Sequence, residues 1–323
     1  MNGCMETDKP QISILMAIYE PRMDWLREQL LSLDAQTYPN IKLYIRDDCS
    51  PTVPYTDICA CVQECIRTFP FEIARNEENL GSNKTFERLT RDADGEYFAY
   101  CDQDDIWLIQ KLETLEEQLA DSDADLICSD VSLINGRGDM FGSSIAEIRP
   151  RHVFFQGKNL APALIYRNFV IGCTTLVRAE RAKASLPFVN SMVHDHYLAF
   201  FCALHGSIQS SPDHLVLYRI HGNNQTGVLA HITDRKSYMA NHLIPFCSRV
   251  EELNARFSLP ELDMAAQWAK ARIKNVQRQP GGMRALWKLR KVSQTTTMFE
   301  LIALRLPQFL FRVLLRAIQA GKI

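Results

Sequence analysis

Nowhere in the 323 residues do 18 consecutive apolar residues occur, so no membrane-spanning helix is expected. Met1 to Pro10 contains no apolar core segment, so no secretory leader is expected there. No charge of one sign dominates: 36 Lys+Arg stand against 38 Asp+Glu, a net charge of −2, which gives no support to a wholly basic nucleic-acid binder. Internal repeats and low-complexity tracts are missing too, and 46% hydrophobic with 23% charged residues is ordinary globular composition. The ten cysteines do not read as a disulfide framework in a chain of this size. Cys59, Cys61 and Cys65 cluster, with Cys61 and Cys65 on one helix face. No histidine lies near them to complete a familiar zinc spacing, so reduced thiols in a cytosolic protein are favoured over a metal site.

The charge balance hides an asymmetry. Residues 270–323 hold twelve Lys/Arg and one acid, Glu300, so a basic tail follows an acidic body. The length suits two unequal units. Residues 11–130 alternate between strand-like and helix-like segments. Ile12 to Ile18 is almost wholly apolar, as in a strand covered on both faces. Trp25, Leu26, Leu30 and Leu33 form one stripe on a helix over 22–36. Strands are expected at 41–46, 70–75, 96–101 and from 125, with helices at 57–68, 83–92 and 108–120. Further on, Thr174–Arg178 and His214–Ile220 read as strands, and the chain turns helical beyond about 228. The fold class is therefore α/β: a Rossmann-like, mainly parallel sheet with helices on both faces, plus a C-terminal helical appendage. The expected division is a catalytic body over 1–227 and a helical basic region over 228–323.

In open α/β sheets ligands bind outside the carboxyl ends of the strands. Three such ends carry polar residues: Tyr19-Glu20-Pro21, Asp47-Asp48-Cys49-Ser50 and Asp102-Gln103-Asp104-Asp105. Two carboxylates ~5 Å apart at an effective dielectric of ~20 repel by roughly 3 kcal/mol. Crowded acids are therefore protonated or share a cation, and hard oxygen ligands suit Mg²⁺ or Mn²⁺ shared with a phosphate. The plainer reading is that these acids cap the next helices.

Tyr19-Glu20, Asp47-Asp48-Cys49-Ser50, Asn79-Leu80-Gly81, Asp102-Gln103-Asp104-Asp105 and His194-Asp195 occur in the order seen in family 2 glycosyltransferases of the GT-A fold, which this sequence resembles over about residues 11–227. Asp102 to Trp107 and Tyr218-Arg219-Ile220-His221-Gly222-Asn223-Asn224 are similar to bacterial rhamnosyltransferases of polysaccharide assembly. Cys49 departs from the glycine usual at its position, which bears on base selectivity. The resemblance implies that Tyr19 and Glu20 border the nucleotide, and that Asp48, with Asp47, recognises the pyrimidine. A carboxylate can accept from a ring N–H. Asn79 and Gly81 would line the nucleotide-sugar pocket, with Asp102 and Gln103 at the donor. Asp104 would ligate Mg²⁺ or Mn²⁺, and Asp105 would support the loop. His221 would contact the metal or diphosphate, an ordinary loop histidine being the other reading. Asp195 would be the general base of an inverting transfer, or else a carboxylate favourable to a helix N-terminus.

His194 and His196 diverge on a helix, which favours packing over joint metal binding. Trp107 reads equally as a sugar-stacking or a core aromatic. The resemblance implies a nucleotide-sugar donor, dTDP-rhamnose foremost and a UDP-sugar as alternative, with a bacterial glycan or lipid-linked glycan as acceptor. A sugar nucleotidyltransferase usually needs a glycine-rich, basic loop after the first strand, which Tyr19-Glu20-Pro21 does not offer. A non-catalytic membrane-bound sugar-binding protein is the non-enzyme rival. In the tail, Arg284, Lys288 and Lys291, then Arg312 and Arg316, recur at helical spacing beside bulky apolar residues. That pattern suits a helix lying on an anionic membrane surface, giving a cytoplasmic protein at the inner face of the cell membrane. Docking on the body or on a second subunit, as in a homo-oligomer, is the alternative.

Overall fold

The computed structural model describes residues 9–149, 152–222 and 232–319. Two compact units are present, one of Met1–Phe188 with Val193–Gly222 and one of Val189–Met192 with Asn223–Ile323. The boundary expected at 227/228 lies outside the described residues, as do Asn223 and Asn224.

The first unit is built in chain order from β1 (Ile12–Ile18), α1 (Met23–Asp34), β2 (Ile41–Asp47), α2 (Tyr55–Cys65), β3 (Phe71–Arg75), α3 (Ser82–Asp92), β4 (Tyr97–Cys101), β5 (Ile106–Trp107), α4 (Lys111–Ala120) and β6 (Leu126–Ile134). After these come β7 (Met140–Gly142), β8 (Gly157–Lys158), α5 (Ala161–Leu164), β9 (Leu176–Arg178), α6 (Ala179–Ala184), α7 (His194–His205) and β10 (Ser207–Arg219). They make one sheet in the order β3-β2-β1-β4-β9-β6-β10-β5, with β7 on β6 and β8 on β10.

β1 pairs in parallel with β2 on one side and β4 on the other, and its side chains are buried almost throughout, as its apolar sequence requires of a strand covered on both faces. Leu26, Leu30 and Leu33 of the α1 stripe are fully buried in the core, each stabilising by about 2 kcal/mol. The sheet changes character past β4. β9 lies antiparallel between β4 and β6, while β10 runs parallel to β6 with two register shifts. The expected strand at 174–178 is shorter than read, because Gly172–Thr174 is a 3₁₀ turn and β9 begins at Leu176. β10 is longer, starting at Ser207.

This topology positions the site. The carboxyl ends of β2, β1 and β4 are neighbours, so loops 19–21, 48–54 and 102–105 open at one rim. β5 then pairs antiparallel with β10, Trp107 opposite Val216 and Ile106 opposite Leu217. Continuing that register carries the 102–105 loop alongside residues 218–221.

The second unit is helical: α8 (Arg235–Tyr238), α9 (Ile244–Arg256), α10 (Pro260–Val276), α11 (Gly282–Lys288), α12 (Gln294–Ile302) and α13 (Gln308–Gln319). A buried Arg272–Glu300 ion pair at 2.7 Å ties α10 to α12, and the Tyr238 hydroxyl donates to Glu300 at 2.7 Å. α11 ends at Lys288, so Lys291 lies beyond the helix it was expected to share with Arg284. α13 buries Phe311 and Leu315 and exposes Phe309 and Val313 beside Arg312 and Arg316. Among the described residues no helix is long and apolar enough to cross a membrane.

Candidate active site

The acids at the rim are not equivalent. Asp47 is fully buried; its carboxylate accepts from Ser50 Oγ at 2.5 Å and pairs with Arg75 Nε at 3.1 Å. Its oxygens are thus engaged in holding the 47–50 turn. Asp48, 3% exposed, accepts from Asn76 Nδ2, Leu80 N and Gly81 N, each at 2.8 Å. It fixes the Asn79-Leu80-Gly81 segment, where Gly81 sits at φ +80° and Asn79 Oδ1 accepts from Gly81 N at 3.2 Å. Between the two acids and Ser50, Cys49 adopts φ +59°, a left-handed conformation that glycine takes freely. Glu20 is turned toward the neighbouring loop: it accepts from Thr52 N at 2.7 Å, Val53 N at 3.2 Å and the Thr52 hydroxyl. Those bonds, the Thr52 hydroxyl first, hold its carboxyl below the usual range. Tyr19 keeps an exposed ring, and its backbone is clasped by Gln103, whose Oε1 accepts at 2.8 Å and whose Nε2 donates at 3.1 Å.

The Asp102 to Asp105 loop is the electrostatic centre. Burial first, then Asp105, Asp104 and Asp195, push the Asp102 carboxyl well above its ordinary value. Burial and Asp104 push Asp105 up to about 7. Asp105 Oδ1 accepts from Arg219 N at 2.9 Å, while its buried Oδ2 has no hydrogen-bond partner. Ligand atoms of Asp102, Asp105 and Cys173 lie within 4.8 Å of one another, close enough to hold one metal ion. Asp104 points elsewhere: its Oδ2 is 2.7 Å from His221 Nε2.

Two buried cations serve this loop. Arg219, 1% exposed, donates through Nε to Asp104 O at 2.7 Å and pairs through Nη2 with Glu28 at 2.5 Å. Lys111 is fully buried, donates to Cys173 O at 2.8 Å and lies over the Trp107 ring. Burial lowers its ammonium to about 7 against the opposing pull of Cys101, Cys173, Asp105 and Asp102. An unpaired buried charge costs several kcal/mol, so both residues belong where acids offset them. Trp107 itself is 2% exposed and part of the core, the packing alternative for that residue.

Asp195 opens α7, in the first turn, where the helix dipole favours a negative charge. Its Oδ2 accepts from Asn168 Nδ2 at 3.1 Å and its Oδ1 from His196 N at 2.7 Å. Burial still dominates and raises its carboxyl to about 6. Its charge is one of those that raise the Asp102 carboxyl, after burial, Asp105 and Asp104. His194 stacks on Phe86 with ring centroids 3.9 Å apart, and His196 bonds Leu164 O at 2.6 Å, so the two rings part.

The structure thus brings Asp102, Gln103, Asp104, Asp105, His221 and Asp195 to one end of the sheet, with Tyr19 attached through Gln103. Asp47 and Glu20 are spent on loop structure. Lys111, Cys173 and Asn168 carried no motif signal; Arg219 lay within the 218–224 motif without a role of its own.

A mixed sheet with acid-bearing loops at the ends of its parallel strands, and a carboxylate-headed helix facing them, is the GT-A glycosyltransferase architecture. The profile described as Glycosyl transferase family 2 matches residues 13–181, just over half of the chain, and the protein belongs to that family. An uncharacterized glycosyltransferase of Methanocaldococcus jannaschii is 29% identical over 152 residues, covering 47% of this chain and 50% of that protein. The chain therefore matches about half the length of that relative. The dTDP-rhamnosyl transferase RfbG of Shigella flexneri is 26% identical over 230 residues, 66% of this chain and 74% of that one. In fold, TarS 1-349 of S. aureus, solved with UDP-GlcNAc, superimposes with a TM-score of 0.59 at 16% identity, covering 96% of this chain and 92% of that one. The mannosyltransferase PcManGT of Pyrobaculum calidifontis, solved with GDP-Man and Mn²⁺, gives 0.55 at 13% identity, covering 98% and 81%.

Proposed function

We propose that the protein is an inverting glycosyltransferase of polysaccharide biosynthesis, moving a sugar from a nucleotide-sugar donor to a glycan or lipid-linked glycan. The observation that carries this reading is Asp195, held by Asn168 and raised to about 6, its charge among those that raise the Asp102 carboxyl. Asp195 accepts the proton of an acceptor hydroxyl as that oxygen bonds to the anomeric carbon. The bond from that carbon to the donor diphosphate breaks with its electron pair going to the leaving oxygen. Removing the proton during attack is typically worth 10²- to 10⁴-fold. The Asp48-anchored segment with Asn79 and Gly81 borders the nucleotide, as does Tyr19. Asp48 reads the base, Asp47 and Glu20 shape its loops, and Asp102 with Gln103 meets the sugar side. dTDP-rhamnose is the preferred donor, supported by the likeness to RfbG.

The residues fit a divalent ion: hard carboxylate oxygens crowd together, and the buried Asp105 Oδ2 is left without a partner. Asp104 with His221 would hold Mg²⁺ or Mn²⁺, Asp105 supporting them from behind. When bound, the ion offsets the charge gained by the departing diphosphate. Residues 1–227 would be the catalytic domain. The basic region over 228–323 would rest on an anionic membrane through α13, whose Phe309 and Val313 are exposed beside Arg312 and Arg316.

Asp195→Asn tests the assignment on the full chain. Loss of sugar transfer by at least about 10²-fold with donor binding kept supports the base role; unchanged turnover refutes it.

A further inference from the structure

Residues Val189–Met192 lie between α6 and α7 in sequence but belong to the helical unit. Within that unit they are gripped by one side chain of α9. Glu252 accepts from Asn190 N at 2.7 Å through Oε1, and from Ser191 N at 2.9 Å and Ser191 Oγ at 2.6 Å through Oε2. Both carboxylate oxygens are thus used, in charge-assisted bonds that fix two successive residues. Phe188, just before the segment, is held in a similar way in the first unit: its N–H donates to Glu87 Oε2 of α3 at 2.8 Å.

The segment leads straight into α7, and Ser191 stands four residues before Asp195. A helix start is ordinarily fixed by a Ser, Thr, Asp or Asn side chain at its cap. Val193 holds that place here and makes no such bond. The chain entering α7 is held instead by Glu252, 61 residues from Ser191.

The turn that carries Asp195 has little room to move. A Cβ added at Gly172 would lie 3.2 Å from Asp195 Cβ and 3.2 Å from His194 Nε2, so this turn packs directly on the 3₁₀ turn Gly172–Thr174. The next residue, Cys173, brings its Sγ within 4.8 Å of a carboxylate oxygen of Asp102 and of Asp105. The spacing between Asp195 and the acid loop is therefore set where α7 begins. We propose that Glu252 is a positioning residue for sugar transfer: by gripping Asn190 and Ser191 it sets where Asp195 meets the acceptor hydroxyl, and the helical region takes part in catalysis through it. This assignment rests on Asp195 being the base and adds the residue that aims it.

The test follows nucleoside diphosphate release by the full chain with Mn²⁺ from dTDP-rhamnose, UDP-glucose and GDP-mannose, water standing in for the acceptor. Glu252→Gln is expected to lower kcat about 10- to 10²-fold while donor affinity, read by calorimetry, changes less than about twofold. Ser191→Ala, which deletes one of the three bonds, should cost less, and Glu252→Asp should keep part of the parent rate. The acid limb of kcat/KM against pH should move down in Glu252→Gln, as a carboxylate loosened from burial titrates; a purely structural tether would leave it in place. In an Asp195→Asn background Glu252→Gln should cause no further fall, because it acts through Asp195. Parent-like kcat in Glu252→Gln, or a full additional fall in the Asp195→Asn background, overturns the proposal. If Glu252→Gln also loses the donor, Ser191→Ala decides: a reduced kcat with donor binding kept supports the proposal, and a parent-like kcat overturns it. Unchanged turnover in Asp195→Asn refutes the base reading instead, a result distinct from these.

Discussion

His221 Nε2 lies 2.7 Å from Asp104 Oδ2, joining the end of β10 to the acid loop that precedes β5. The contact follows from topology, because the antiparallel β5–β10 pairing sets residues 104 and 219–221 side by side. A histidine and a carboxylate at that distance can also share a divalent ion. Asp104→Asn is expected to weaken Mn²⁺-dependent donor binding at least tenfold, and His221→Ala to weaken it less. Calorimetry with and without Mn²⁺ measures both. Equal donor affinity in the two variants and the parent would overturn the proposed metal role of this pair.

Cys49 occupies a left-handed backbone position at φ +59°. A side chain there costs roughly 1–2 kcal/mol, offset in part by the greater flexibility that glycine gives the unfolded chain. Its thiol makes only long contacts, 3.6 Å to Glu77 O and 3.9 Å to Arg75 Nη2. Cys49→Gly should therefore raise stability by up to about 1 kcal/mol while leaving the Asp47–Arg75 pair in place. Urea denaturation reads the change, and a loss of stability would show that the thiol contacts outweigh the strain.

The proposed role of Asp195 would couple catalysis to pH. Its folded-state value near 6 lies above the ordinary carboxylate value of 3.8. As the proposed base it would have to be ionised, so kcat/KM should rise as pH increases through about 6. Stability runs the opposite way. A group raised on folding stabilises fully below its unfolded value, and that contribution fades as pH climbs from about 4 to about 6. The loss is about 3 kcal/mol in order of magnitude. Denaturation of the parent and of Asp195→Asn across pH 4–7 separates this group from the rest, since the variant should lack that part of the slope.

Much of this site is legible in the sequence, and the gaps have a common cause. The apolar run Ile12 to Ile18 specifies a central strand because both faces of the sheet are covered there. The acids after β1, β2 and β4 are placed by the rule that parallel strands end at one rim. Sequence alone does not disclose which acids are already partnered. Asp47 and Asp48 are adjacent, yet Asp47 is locked to Arg75 and Ser50 while Asp48 organises a loop some thirty residues on. Nothing in the sequence singles out Lys111 within the helix expected at 108–120; its burial depends on the distant Cys173 carbonyl as well as on the nearby Trp107 ring. β9 inserts antiparallel between β4 and β6, a pairing with no local signature.

On the proposed reading, a divalent ion lets crowded carboxylates receive a nucleotide-sugar diphosphate. Thermal unfolding of the full chain against a panel of dTDP-, UDP- and GDP-sugars, each with Mn²⁺ and with chelator, tests it most directly. A raised midpoint is expected for one nucleotide class, with dTDP-rhamnose leading, only when Mn²⁺ is present. No shift with any donor, or the same shift in chelator, would contradict it.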